Sequence, residues 1–466
     1  MKKTRLTCIL TFIVVIVSGQ TAGNLANKKI DGYRGIWFEL NQKFEYGDKY
    51  SGGLGTYTAD HIPLAVYSPE VNKTFFVYGG TSQKDKKYLL CMIGEFDHAT
   101  GMVSKPTVVC DKGGVLDPHD NPSIMIDDKG FIRVFVSGRG NARKGFKYKS
   151  LTPFNIDAFE LISDEVFAYP QIWNTKKGYF HFFTKYTGLR ELYFEYSKDG
   201  IHWTEDKKLS GIREKPEELG GHYQVSNCFK GKVLGTFFNR HRNGAADERT
   251  DLYYLQTGNY GKTWKTSHNK DVTIPLSEVD NPAKVADYFS QGKNVYIHDM
   301  GFDRKGYPVC LYITSNGHEP GPSNAPYEWR ITAWDGKKWN TYIVCESDHN
   351  YDMGSLYINE NEWKIVGPTG RGPQIYGTGG EIAIWTSTDK GVSWKKDRDI
   401  THNSETNNSY VRRPVQFKAP FCYFWANGNP DKFSISELFF GDFEGNVWKL
   451  PYEMKNDFEK PLKHNF

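Results

Sequence analysis

Short runs rich in apolar residues follow one another along nearly the whole chain, and turn-forming residues close each run. Ile132-Arg-Val-Phe-Val136, Gly178-Tyr-Phe-His-Phe-Phe183, Val233-Leu-Gly-Thr-Phe-Phe238 and Val309-Cys-Leu-Tyr-Ile313 are rich in β-branched and aromatic side chains. Asp128-Lys-Gly130, Asp199-Gly200 and Asp335-Gly336 are turn signals of the kind that bound strands. No stretch sustains a helical period, so the pattern predicts an all-β protein.

A repeat organises these strands. Thr257-Gly-Asn-Tyr-Gly-Lys-Thr-Trp264 and Ser387-Thr-Asp-Lys-Gly-Val-Ser-Trp394 both fit Ser/Thr-x-Asp/Asn-x-Gly-x-Ser/Thr-Trp. Shorter copies lie at Ser197–Trp203, Trp334–Trp339 and Asp442–Trp448. In such an Asp box the Asx side chain caps a tight turn, Gly takes a positive φ, and Trp packs over the hairpin. Boxes repeated in this way predict a β-propeller, whose ring of blades removes free sheet edges. At about 60 residues per blade the chain holds seven blades, with six as the alternative. Length alone suggests two or three domains. The absence of any Pro/Gly/Ser-rich linker reduces that to a single propeller over residues 23–466.

The N-terminus adds a compartment. Lys2, Lys3 and Arg5 precede an apolar run from Leu6 to Val17, followed by Ser18, Gly19 and Ala22. The run is too short to span a bilayer and reads as a signal peptide over residues 1–22, which predicts a secreted or periplasmic protein without membrane insertion. The 59 basic and 55 acidic side chains balance too closely to point to nucleic acid. Aromatic residues make up 15% of the chain, and their faces serve both strand packing and sugar binding. Seven dispersed Cys, one of them in the leader, read as core thiols with room for one disulfide.

Candidate chemistry sits in loops that blades carry toward the axis. Lys49-Tyr-Ser-Gly-Gly-Leu-Gly-Thr-Tyr-Thr-Ala-Asp-His-Ile-Pro63 offers His61 as a general acid or base. Leu116-Asp-Pro-His-Asp-Asn-Pro122 offers His119, with Asp117, Asp120 and Asn121 as turn formers, and Arg139 follows as a carboxylate clamp. Tyr169 and Tyr223 (with His222 beside it) are candidate proton-transfer hydroxyls, and Lys185 and Arg190 could supply positive charge near them. Arg412, Arg413, His298 and Asp299 are candidates for holding an acidic sugar. Glu39, Glu45 and Asp48 are candidate carboxylates, but no pair stands out for a two-carboxylate hydrolysis.

Tyr33-Arg-Gly-Ile-Trp37, the segment from Lys49 to Pro63, Phe75-Phe-Val-Tyr-Gly-Gly80, Asp117 to Pro122, Tyr169-Pro-Gln171 and Phe183-Thr-Lys-Tyr186 resemble the BNR-repeat propeller group that contains ulvan lyases and exo-α-L-rhamnosidases. Among the lyases the resemblance implies a site of two His, two Tyr and an Arg. His119 stands for the first His, Tyr169 and Tyr223 for the tyrosines, Arg139 replaces the second His and Lys185 the Arg. It also implies a zinc site of three His and a Cys, of which His241 alone has a counterpart, so the expectation is no zinc. Among the rhamnosidases it implies one essential His on the opposite face, carried here by His61.

The main reading is an exo-α-L-rhamnosidase that removes terminal L-rhamnose α-1,4-linked to glucuronic acid in arabinogalactan-type glycans, with His61 as acid/base. The alternatives are a lyase using His119 or Tyr223 as base with Arg139 or Lys185 on the uronate, and a non-catalytic glycan-binding propeller. A sialidase is disfavoured because its Arg triad cannot be assembled. The expected partner is an acidic plant or algal polysaccharide, the expected state a monomer. The sequence requires no cofactor, and it is compatible with a structural calcium ion in the axial channel, which would leave no mark in the sequence.

Overall fold

The turns explain the architecture first. In the computed structural model, which describes residues 26–83 and 86–466, Thr257 Oγ1 accepts from Gly261 N at 3.0 Å and Asn259 Oδ1 accepts from Thr263 N at 2.9 Å. Ser387 Oγ and Asp389 Oδ1 repeat both bonds with Gly391 N at 2.8 Å and Ser393 N at 2.9 Å. Gly261 and Gly391 take φ of 75° and 86°, the left-handed region that Gly enters without strain. The three shorter copies keep the Asx cap: Asp199 Oδ1 accepts from His202 N, Asp335 Oδ1 from Lys338 N and Asp442 Oδ1 from Asn446 N, at 2.8, 2.9 and 2.9 Å. Trp264 is buried against Phe194, its ring 5.1 Å away.

Apart from strands near the two ends of the chain, these hairpins build antiparallel sheets in chain order. The first holds strands between Ala65 and Asp111, and the next two run through Pro122–Glu165 and Ala168–Ser210. Strands within Gln224–Ala286 and Asn294–Ser347 form the following pair. Ser355–Asp399 and Asn407–His464 complete the series, joined to each other through the pair Gly380↔Asn408. The fold is an all-β propeller, and helix among the described residues amounts to three 3₁₀ turns. The ladders remain separate sheets rather than one closed barrel. Three joints bring the N- and C-terminal parts together: Val415 N donates to Ala65 O at 2.8 Å, Gly35–Ile36 pairs with Ile435–Ser436, and Phe458–Glu459 pairs with the first sheet at Val103 and Ser104.

The predicted strand segments lie inside Ile132–Val136, Gly178–Lys185, Val233–His241 and Pro308–Ser315. Aromatic side chains fill the spaces between sheets, with Trp264, Trp329 and Trp425 fully buried. All six described cysteines are free thiols. The leader at residues 1–22 lies outside the described residues. Among the described residues no helix is long and apolar enough to cross a membrane.

Candidate active site

The innermost strands and their loops deliver side chains to a narrow axial cleft lined by Tyr57, Asp60, His119, Tyr169, Tyr223 and Arg249, among others. The N-terminal segment reaches it because its glycines let backbones touch. A Cβ on Gly52 would lie 2.3 Å from the Tyr410 ring, and one on Gly53 2.3 Å from Ala426 Cβ. The enclosed space is about 10 Å³, room for roughly one water. A sugar ring is too large to enter a space of this size.

His119 is presented by the 3₁₀ turn Pro118–Asp120, which starts with Pro and is capped by Asp117 Oδ1 on His119 N at 3.1 Å. The same carboxylate takes His119 Nδ1–H at 2.5 Å. Because an ionised Asp only accepts, this bond fixes the proton on Nδ1 and leaves the Nε2 lone pair facing the Tyr57 hydroxyl at 3.0 Å. Burial, partly offset by Asp117, holds the imidazole below its ordinary pKa and therefore neutral. Burial alone would raise Asp117, but the His119 ring and the Arg139 and Arg143 guanidinium groups outweigh it and keep the carboxylate ionised.

The two tyrosines follow. Tyr169 is buried at a φ of 53°, an uncommon backbone state for a bulky residue, and is held by Ser137 Oγ on its N at 3.0 Å. Its ring meets His119 edge-on at 5.7 Å and Tyr223 at 5.4 Å, and its hydroxyl accepts from Arg139 Nη1 at 3.4 Å. Tyr223 is half-buried at the mouth. Three of the carried-over groups besides His119, namely Arg139, Tyr169 and Tyr223, thus converge. Lys185 does not join them, because Asp206 captures its ammonium.

Positive charge comes from Arg190, offered for that role by the sequence, and from Arg249, which was not singled out there. Arg249 is 3% exposed; its guanidinium donates to Tyr50 Oη at 3.1 Å and Tyr351 Oη at 2.8 Å and lies 4.7 Å from the Tyr223 ring centre. Arg190 stands 5.9 Å from the same ring; one of its nitrogens donates to Gly244 O, while its buried Nε has no partner. Asp60 lines the cleft, and burial, opposed by Arg249, raises its carboxyl to about 7. Arg249 sits in a stretch, Asp-Glu-Arg-Thr-Asp, that reads as a solvated charged turn, and its phenolic partners lie 199 and 102 residues away. Asp60 had a signal, standing next to His61 in the Gly-rich segment.

His61 departs from expectation. It stacks on Tyr169 with ring centres 5.7 Å apart, so it touches the lyase-like cluster instead of occupying a separate face. It is fully buried, its Nε2 has no partner, and burial with the neighbouring His119 and Arg412 pushes its imidazole down to about 3. A sealed ring beneath Tyr169 cannot reach a glycosidic oxygen. Arg412 ties this segment down by donating to Thr58 O and His61 O. Arg413 holds Asp299 in two bonds of 2.7 and 3.1 Å beside His298, in a second small cavity. Glu39 pairs with Lys43, Glu45 is exposed, and Asp48 caps Tyr50 N, so these three form no hydrolytic pair.

His241 lies under Tyr223, ring centres 4.7 Å apart, with neither ring nitrogen hydrogen-bonded. Burial and the charges of Arg190 and Arg249 push its pKa well down. Two guanidinium groups beside a single imidazole do not fit a zinc ion, which wants anionic or several neutral ligands. Among the described residues no group of three or more His, Cys, Asp or Glu could hold a metal ion.

A family model described as a BNR repeat-containing family member matches residues 92–346, more than half of the chain. The chain belongs to the BNR repeat-containing family. Two curated relatives of this BNR-repeat chain are ulvan lyases. That of Alteromonas sp. (strain LOR) is 20% identical over 293 residues, 56% of this chain and 58% of the relative. That of Nonlabens ulvanivorans is 21% identical over 329 residues, 61% and 65% respectively. The chain thus aligns with less than two thirds of either relative's length. In overall shape it is similar to a solved ulvan lyase bound to -[GlcA(1-4)Rha3S]-, with a TM-score of 0.69 at 13% identity, covering 94% of this chain and 98% of that one. At that identity the likeness speaks for the fold.

Proposed function

We propose that this BNR-repeat protein is a glycan-degrading enzyme, a polysaccharide lyase that cleaves an acidic, uronate-containing polysaccharide of the rhamnose–glucuronate kind by β-elimination. The observation that carries the reading is the half-buried Tyr223 at the mouth of the axial cleft, with Arg190 and Arg249 beside its ring and Tyr169 and His119 behind it. The ulvan lyase relatives support the same class of reaction.

In this scheme Arg139 and Arg190 engage the uronate carboxylate. Their charge stabilises the negative charge that develops when the neighbouring C5 proton leaves. His119 Nε2, neutral and oriented by Asp117, takes that proton once the Tyr57 hydroxyl yields. The C5–H electrons form the C4=C5 double bond, the C4–O4 bond breaks, and the Tyr223 hydroxyl gives its proton to the departing oxygen. Lys185 has no part in it. The hydrolase reading loses its support together with the sealed His61. We further propose export from the cytoplasm, on the strength of the leader pattern at residues 1–22.

Incubation with a sulfated rhamnose–glucuronate polysaccharide tests the class. Accumulating ultraviolet absorbance of an unsaturated uronate is the expected result. Free rhamnose without that absorbance would return the hydrolase, and binding without any product would return the glycan-binding propeller.

A further inference from the structure

Away from the axis, where the sheet of Ala168–Ser210 meets that of Gln224–Ala286, lies a groove of about 430 Å³. This falls within the range of small-ligand sites, ~300–1,000 Å³. Four lysines line it: Lys177, Lys198, Lys207 and Lys262. All four are exposed, no carboxylate shares the lining, and none of the four forms an ion pair among the described residues. Neighbouring cations are treated differently: Asp206 takes Lys185 and Glu191 takes Lys208.

The floor is aromatic. Tyr196 and Tyr260 lie with ring centres 4.8 Å apart at 40°, and Phe194 shares the lining. Tyr260 belongs to the Asp box, where the turn holds it at a φ of 61° just before Gly261. The position needs no aromatic ring for the turn's own hydrogen bonds, which use Thr257, Asn259, Gly261 and Thr263. An aromatic platform rimmed by unpaired ammonium groups suits a ligand with apolar ring faces and regularly spaced anionic groups.

We propose that this groove is a second, non-catalytic glycan-binding site, which holds a sulfated or uronate-bearing polysaccharide chain. Sugar faces rest on Tyr196 and Tyr260, and sulfate or carboxylate groups meet Lys177, Lys198, Lys207 and Lys262. The identity of the occupant follows the acidic-glycan reading of the axial site, but the groove operates whether or not that site is catalytic. It raises the local concentration of a long substrate by tethering it, and short oligosaccharides gain nothing from it.

The test is affinity electrophoresis of the full chain through gels containing a sulfated rhamnose–glucuronate polysaccharide, with a neutral polysaccharide as control. Wild-type protein is retarded by the acidic gel alone, and added salt weakens the retardation. Lys198→Ser/Lys207→Ser/Lys262→Ser weakens the apparent affinity by about tenfold or more. Tyr260→Asn, which keeps a residue tolerant of positive φ, weakens it with the lysines intact. Both variants cleave a short oligosaccharide at the wild-type rate, and Tyr223→Phe is retarded normally while its turnover falls by ~10²–10⁴-fold. Equal retardation of wild-type and triple-lysine proteins, or equal retardation in the neutral gel, overturns the proposal. Retardation of a wild-type protein that yields no product leaves the groove standing and removes the lyase reading.

Discussion

Two small cavities share the same chain segments, and neighbouring residues line one or the other. Thr58, Asp60, Ile297 and Met353 face the cleft of Tyr223, whereas Ile62, Pro63, His298 and Ser355 face the cavity of Asp299 and Arg413. The two differ in how charge is met. In the second, Arg413 is matched by Asp299, whose Oδ2 also accepts from Leu356 N, so the pair knits neighbouring sheets together. In the first, Arg249 bonds phenols, and beside it Arg190, 5.9 Å from the Tyr223 ring, keeps an unused Nε, so positive charge remains for a ligand. Matched buried charge is a structural element, and unmatched charge beside a neutral, oriented imidazole is a site.

The sharpest way to break this contrast is at the first cavity. Tyr223→Phe and His119→Gln, assayed on the acidic polysaccharide, each lower kcat by ~10²–10⁴-fold, the usual loss for a general acid or base, with little change in thermal stability. At the second, Arg413→Ala leaves Asp299 buried and unpaired, costs ~3–5 kcal/mol in denaturant unfolding, and leaves kcat near wild type. If Arg413→Ala instead abolishes turnover in a protein that stays folded, the division of roles fails.

Asp60 sharpens the comparison through pH. Its folded pKa of about 7 lies above the ~3.9 of an unfolded Asp. The folded state therefore binds the extra proton, and stability falls as pH rises from ~4 toward 7. Asp60→Asn removes that share of the decline, seen as a smaller difference in denaturation midpoint between pH 5 and pH 8. A smaller effect is expected for His61→Gln, which disturbs the stack under Tyr169 and changes product formation by less than about tenfold. The hydrolase reading requires complete loss. Lys185→Ala, which removes a partly exposed ion pair, stays within ~1 kcal/mol of wild-type stability and keeps full activity.

The propeller was legible because its signature is local. Each Asp box carries its cap, its positive-φ Gly and its Trp within eight residues, so the turn at Thr257–Trp264 can be read without its neighbours. The site is assembled from sheets far apart in sequence. His119 and Tyr169 were readable because their loops carry polar and Pro signals. Arg249 was not, since its burial depends on Tyr50 and Tyr351 from distant sheets. Lys185 misled for the same reason: Asp206, 21 residues on, claims its ammonium. The loop around His61 does reach the cleft, but the residues it places there are Tyr57, Thr58 and Asp60, while His61 itself is buried.

The most direct test of the central claim is mass spectrometry of the products from a rhamnose–glucuronate oligosaccharide of defined length. Elimination only redistributes atoms, so the account predicts product masses that sum to the substrate mass, with the unsaturated uronate on one fragment and neither product formed by Tyr223→Phe. Products whose masses sum to the substrate plus one water would show hydrolysis and contradict it.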